Sequence, residues 1–155
     1  MEQVFQYQIP VVHPLAVHFP IVLVLIGALS VILWSFLDKP FWRLCSLFLF
    51  SLGMVGGLAA YFTGDEIKES VEGTPIVEEL VGKHEDAALL FLILTGLSLM
   101  GLIGVSIWER YRPITRRTTD PLVIRVVMGI LALLSAISVI WTAYIGGTMV
   151  WGIAR

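Results

Sequence analysis

The sequence predicts an all-α, polytopic membrane protein: an antiparallel, up-down-up-down bundle of four transmembrane helices with a short amphipathic outer loop. Composition is the first observation behind this. Of the 155 residues 57% are hydrophobic, and the mean hydropathy is +0.89, above the roughly half-apolar usage of soluble domains. The second is the distribution of the apolar residues. They fall into four windows, each able to supply the about 20 residues that a helix rising 1.5 Å per residue needs to cross a bilayer core. The third is that the links between windows one and two and between three and four are short, which suits antiparallel neighbours. Residues 1–155 read as one four-span domain.

Span one covers about residues 14–37 and ends at Asp38-Lys39-Pro40. Pro14 suits a first helical turn, where its missing N–H would be unpaired anyway. The stretch before it, "MEQVFQYQIPVVH", has no basic residue, and the apolar run outlasts a typical signal-peptide core, so the span is expected to be retained. Span two covers about 41–63. It carries Gly53, Gly57, Ala60 and Gly64 at three- or four-residue steps, a pattern expected to face another helix at close range. Cys45, the single cysteine, excludes an internal disulfide. Thr74-Pro75 opens a helix that leads through "PIVEELVGK", an amphipathic ramp, into span three at about 87–108. Asp120-Pro121 caps and starts span four, at about 121–147. No internal repeat and no low-complexity segment is visible.

Charge orients the bundle. The predicted inner side carries Lys39, Arg43, Arg110, Arg112, Arg116, Arg117 and Arg125, against Lys68, Lys83 and Arg155 outside. Basic residues collect on the cytoplasmic side, so both termini and the acidic link between spans two and three are expected outside. This points to a multi-pass protein of an inner (cytoplasmic) membrane, with both termini on its outer side. The arginines serve orientation, and nothing suggests nucleic acid.

All three histidines then sit at the outer end. His13 and His18 flank Pro14 at the mouth of span one, and His84 precedes span three beside Glu85. Asp65 and Glu66 close span two. Ionisable groups at membrane depth usually face the bundle interior and serve function. Spans one and three are diagonal in a square bundle, so His18 and His84, or His13 in place of His18, could hold a b-type haem between two helices. A second reading is a zinc, iron or copper ion bound by His13, His18 and His84 with Asp65, Glu66 or Glu85. A third is a structural or accessory subunit of a membrane complex, whose polar mouth only hydrogen-bonds. Single serines inside the spans argue against a hydrolase, since such serines bond the carbonyl one turn back. Four spans with no charged pathway argue against transport unless the protein oligomerises.

The run "HPLAVHFPIVL", the "TGDEIKESVEG" after span two, the "KHEDAA" entering span three and the late "YIGGTMVWG" together resemble the bacterial membrane-protein family catalogued as domain of unknown function 2231. The resemblance covers nearly the whole chain. It implies a four-span fold without a settled activity. Relatives joined to Rieske-type or cytochrome c-type domains imply electron transfer, with a periplasmic electron-transfer protein or membrane complex as partner. The family tail often carries a histidine after the glycines, and "MVWGIAR" here has none.

Overall fold

A computed structural model describes residues 12–70, 75–112 and 120–151. They form four helices: α1 (Val12–Leu37), α2 (Pro40–Ser70), α3 (Pro75–Tyr111) and α4 (Leu122–Trp151). No strand occurs among the described residues, and each helix contains a segment long and apolar enough to cross a membrane. The expected ramp is simply the first turns of α3, continuous with its span.

Each helix buries one stripe with steps of three and four residues, the seam of a bundle with coiled-coil-like packing. In α2 the stripe runs Arg43, Ser46, Phe50, Gly53, Gly57 and Ala60. In α3 it runs Ala87, Phe91, Thr95, Ser98, Leu102 and Val105. The opposite faces expose Leu, Ile, Phe and Val, as a lipid-facing surface requires. Helix α1 packs on α2 and α4, and α3 packs on α4 and α2, so α1 and α3 are diagonal. Contacts within the hairpins α1–α2 and α3–α4 are more extensive than those between hairpins. Glycine permits the closest approaches: a Cβ at Gly53 would lie 2.7 Å from Val24 Cγ2, and one at Gly57 2.9 Å from Phe91 Cε1. Both glycines therefore line helix contacts, as their spacing predicts.

The hairpin turn between α1 and α2 is local chemistry. Asp38 adopts φ 50°, a left-handed conformation that Asp tolerates better than most residues. Its N–H donates to the Trp34 carbonyl at 2.9 Å, closing α1. Pro40 then starts α2. The serines behave as expected: Ser30, Ser51 and Ser135 each donate to the carbonyl four residues back. Ser98 and Ser135 also meet at 3.0 Å across α3 and α4.

The absence of a repeat is corrected by the contacts. Asp38, Arg43 and Gly64 recur 82 positions later as Asp120, Arg125 and Gly146, with Thr142 in the place of Ala60. His13, Ser35 and Asp38 recur 71 positions later as His84, Ser106 and Glu109. The two arginines make related contacts. Arg43 pairs with Glu109 and Asp120, while Arg125 lies 3.7 Å from Asp38, the counterpart of both. Ser35 and Ser106 donate to Val31 and Leu102, themselves 71 positions apart. The two hairpins thus carry like residues at like places near their ends. Sequence hides this because only the residues at the two ends are kept, and the apolar residues between them are interchangeable in lipid.

Candidate functional site

The bundle has a polar layer at each end. At the histidine end, His13 Nδ1 lies 3.1 Å from Thr63 Oγ1. Thr63 Oγ1 itself donates to the Ala59 and Ala60 carbonyls at 3.0 Å each, so it is free to accept from the imidazole. The Ala60 carbonyl also hydrogen-bonds the ring. Across the bundle, the His84 ring lies beside the Thr142 carbonyl, and its Nδ1 is buried without a hydrogen-bond partner.

Glycine shapes both seats in the same way. A Cβ at Gly64 would come within 3.4 Å of His13 Cε1, and a Cβ at Gly146 within 3.1 Å of His84 Cε1. Each imidazole therefore lies in a glycine notch on the second helix of its own hairpin and reaches the carbonyl four residues earlier, at Ala60 or Thr142. His13 and His84 stand at like places on diagonal helices, and they lie within electrostatic reach of each other. Burial holds the His13 imidazole below the ordinary value of 6.5, with the Ala60 carbonyl opposing. Its neutral form, which can donate a lone pair to a metal, therefore prevails at neutral pH.

The other sequence candidates are placed differently. His18 is exposed on the outside of α1. It stands five positions after His13, about 140° round a helix of 3.6 residues per turn, so the two cannot face one site. His18 thus faces outward, while His13 is half-buried against α2. Glu85 is half-buried beside His84. Asp65 and Glu66 lie on α2, but their side chains fall outside the described residues. Among the described residues, no group of three or more His, Cys, Asp or Glu converges on a metal position.

The arginine end holds what sequence reasoning missed. Arg43, read as an orientation signal, is 3% exposed, and Asp120, read as a helix cap, is 6% exposed. Arg43 Nη1 donates to Asp120 Oδ2 at 2.8 Å, and its Nη2 pairs with Glu109. Trp34 Nε1 donates to the same Asp120 oxygen at 3.1 Å, and the Arg43 guanidinium lies 5.8 Å from the Trp34 ring. Arg125 Nη1 donates to the Ser35 carbonyl at 3.0 Å, while Ser35 Oγ donates to the Arg125 carbonyl at 2.9 Å. The Asp120 N–H donates to Asp38 Oδ1 at 3.3 Å. All four helices are joined in this knot. The signal available in sequence was the spacing: Arg43 falls on the same stripe as Gly53 and Gly57.

Comparison with known proteins agrees with the fold. Residues 9–154 match the family described as "Predicted membrane protein (DUF2231)". No curated protein and no solved structure matches the chain. The chain belongs to the DUF2231 family of predicted membrane proteins.

Proposed function

We propose that the chain is an electron-transfer protein of the bacterial inner membrane in which His13 and His84 are the axial ligands of a b-type haem at the outer end. One observation carries this reading. Two imidazoles, from opposite hairpins, each lie over a glycine of the second helix of their own hairpin, and His13 is oriented through Nδ1 by Thr63. Metal-binding histidines are usually oriented in this way, and the arrangement leaves the second nitrogen for the ligand. His84 Nδ1, buried and unpartnered, is a donor atom that a ligand would satisfy.

A bound haem would supply one-electron chemistry. The residues of this chain do the rest: Thr63 and Ala60 orient the His13 imidazole, and the apolar walls contributed by Ala87 and Phe91 lower the local dielectric, a lever on potential. A zinc, iron or copper ion asks for three or more protein donors. A haem would need only two, for which His13 and His84 are the candidates. The redox partner would be a periplasmic electron-transfer protein or a membrane complex that approaches the histidine end. The basic arginine end lies on the cytoplasmic side in this reading, which impermeant labelling of a cysteine placed near Arg112 in intact cells tests.

The deciding experiment is the visible spectrum of the purified protein, oxidised and dithionite-reduced, with haem and metal analysis. A Soret band with sharp reduced bands is expected. It should be lost in His13→Ala and in His84→Ala and kept in His18→Ala. A colourless protein with stoichiometric metal would move the site to a non-haem ion. A colourless, metal-free protein destabilised by both substitutions would leave the histidines a structural role.

A further inference from the structure

Serine and threonine hydroxyls gather in the middle of the second hairpin. Thr95 is the central residue of the apolar segment Glu79–Tyr111, and Ser135 stands at the middle of Leu122–Met149. This layer therefore lies at the depth of the bilayer centre. Thr95, Ser98 and Ser135 are fully buried, and Ser138 nearly so. Helices α3 and α4 run antiparallel, with Ser98 against Ser135 and His84 against Gly146. Three residues back along α3 and three forward along α4, Thr95 stands level with Ser138, on the same inner stripe as Ser98.

A hydroxyl has one proton to donate and two lone pairs with which to accept. Ser138 Oγ donates to the Ser135 carbonyl at 2.9 Å. Ser135 Oγ donates to the Leu131 carbonyl at 3.0 Å, so Ser98 is the donor in its own 3.0 Å contact with Ser135. Ser98 and Ser138 thus face this layer with lone pairs and no proton to give. Thr95 is the reverse case. The buried serines Ser30, Ser46, Ser98, Ser135 and Ser138 all have hydrogen-bond partners, whereas the buried Thr95 hydroxyl has none. Its proton is unused at a depth where lipid offers nothing to accept it, and buried polar groups there must be satisfied from within the protein.

We propose that one water molecule binds at the centre of the membrane between α3 and α4, held by Thr95, Ser98 and Ser138. The water accepts from Thr95 Oγ1 and donates its two protons to the oxygens of Ser98 and Ser138, so every proton in the layer finds an acceptor. Residues three apart on a helix have Cβ atoms about 5–6 Å apart. That is too far for Thr95 and Ser98 to bond directly, and about the span of two hydrogen bonds through one water. Three hydrogen bonds are also the usual complement of a buried water. The side chains around it are short, whereas the neighbouring layers are filled by Phe91 and Leu102. The site is separate from the histidine end and stands whether or not a haem binds there.

Thermal unfolding of Thr95→Val, Ser138→Ala and the double variant in mild detergent tests this. Valine keeps the shape of threonine and removes only the hydroxyl. For an unpaired Thr95, valine would raise the unfolding temperature, because a buried orphan is removed. With the water in place valine should lower it, since the water loses the group that donates to it, and Ser138→Ala should lower it too. The double variant should lose less than the two single losses together, because Thr95 and Ser138 make no direct bond and are coupled through the water. An unchanged or raised unfolding temperature for Thr95→Val overturns the proposal, and so does strict additivity. A crystal structure grown from lipid, at a resolution that shows ordered water, gives the direct reading. A density peak within hydrogen-bond reach of all three oxygens is expected. A Thr95 hydroxyl turned to the Phe91 carbonyl, with no such peak, overturns the site.

Discussion

Replacing Arg43 by methionine tests the arginine end most directly, because the side chain keeps its length and loses only charge and donors. Arg43 holds two carboxylates from the opposite hairpin. The Asp120 side chain is 5% exposed and that of Glu109 is 23% exposed. Removing one partner of a buried ion pair costs about 3–5 kcal/mol, because a charge is left uncompensated. Two features pull the value down. Trp34 still donates to Asp120, and Glu109 has some access to polar surroundings. Membrane hydrogen bonds in general measure only about 0.6 kcal/mol, because the unfolded chain in lipid finds other partners. The uncompensated charge outweighs that discount here, since no neutral partner in lipid replaces a guanidinium. The expected loss is about 3 kcal/mol, roughly a hundredfold in the folding equilibrium at 1.4 kcal/mol per tenfold. Arg43→Lys keeps the charge but cannot fork between carboxylates on two helices, and should lose about half as much.

The assay is denaturation in mild detergent followed by tryptophan fluorescence, to which Trp34 contributes from a fully buried position. In a cycle with Asp120→Asn, the double variant should lose less than the two single losses together, by about 1.5–3 kcal/mol. Losses below about 1 kcal/mol for Arg43→Met, or strict additivity in the cycle, would refute the reasoning and return Arg43 to the role of an orientation signal.

Gly57→Ala should destabilise by about 1–3 kcal/mol, because its Cβ would meet Phe91 at 2.9 Å and Leu92 at 3.0 Å in a packed seam. Gly104→Ala, with nothing within 4 Å, should be neutral or slightly stabilising by helix propensity, as thermal unfolding of both would show. Gly146→Val should displace the His84 ring, whose Cε1 lies 3.1 Å from the nearest added carbon; hemin titration should show binding lost while the helical circular dichroism is kept. For pH, burial lowers the His13 value below 6.5, so the unfolded chain takes up a proton before the folded one does. Stability should be full above about 6.5 and should fall as pH drops below it, until the folded value is passed. His13→Gln should flatten that slope in a thermal-unfolding series from pH 8 to pH 5.5.

Hydropathy made the four helices legible, since about 20 apolar residues in lipid have no other way to satisfy their backbone. The glycine contacts were legible too, because Gly53 and Gly57 sit at helix-repeat spacing. The histidine site was half legible. That the three histidines share one end follows from span boundaries. Which of the two span-one histidines turns inward follows from angle: His13, not His18, falls seven residues before the buried Pro20. The arginine knot was not legible from charge counts. Arg43 and Arg125 look like any inner-side arginines until the structure buries them against Asp120 and Asp38.

The repeat explains why one aspartate stands where two acidic residues stand elsewhere. The link after α1 is so short that Asp38 ends one helix and precedes the next. In the second hairpin the longer link separates these places, as Glu109 at the end of α3 and Asp120 before α4. Arg43 can therefore draw on two carboxylates, whereas its counterpart Arg125 reaches only Asp38 and turns its other contacts to the Ser35 carbonyl. The knot is accordingly lopsided, with its tightest bonds on the Arg43 side, while the histidine seats stay matched, each a ring over a glycine with a carbonyl four residues earlier. A rigid, unequal fastening at one end and two like seats at the other is the arrangement expected if the arginine end fixes how the hairpins meet and the histidine end takes the ligand. A ligand shared by the two seats would depend on the hairpins being held in register, and the knot at the opposite end joins them.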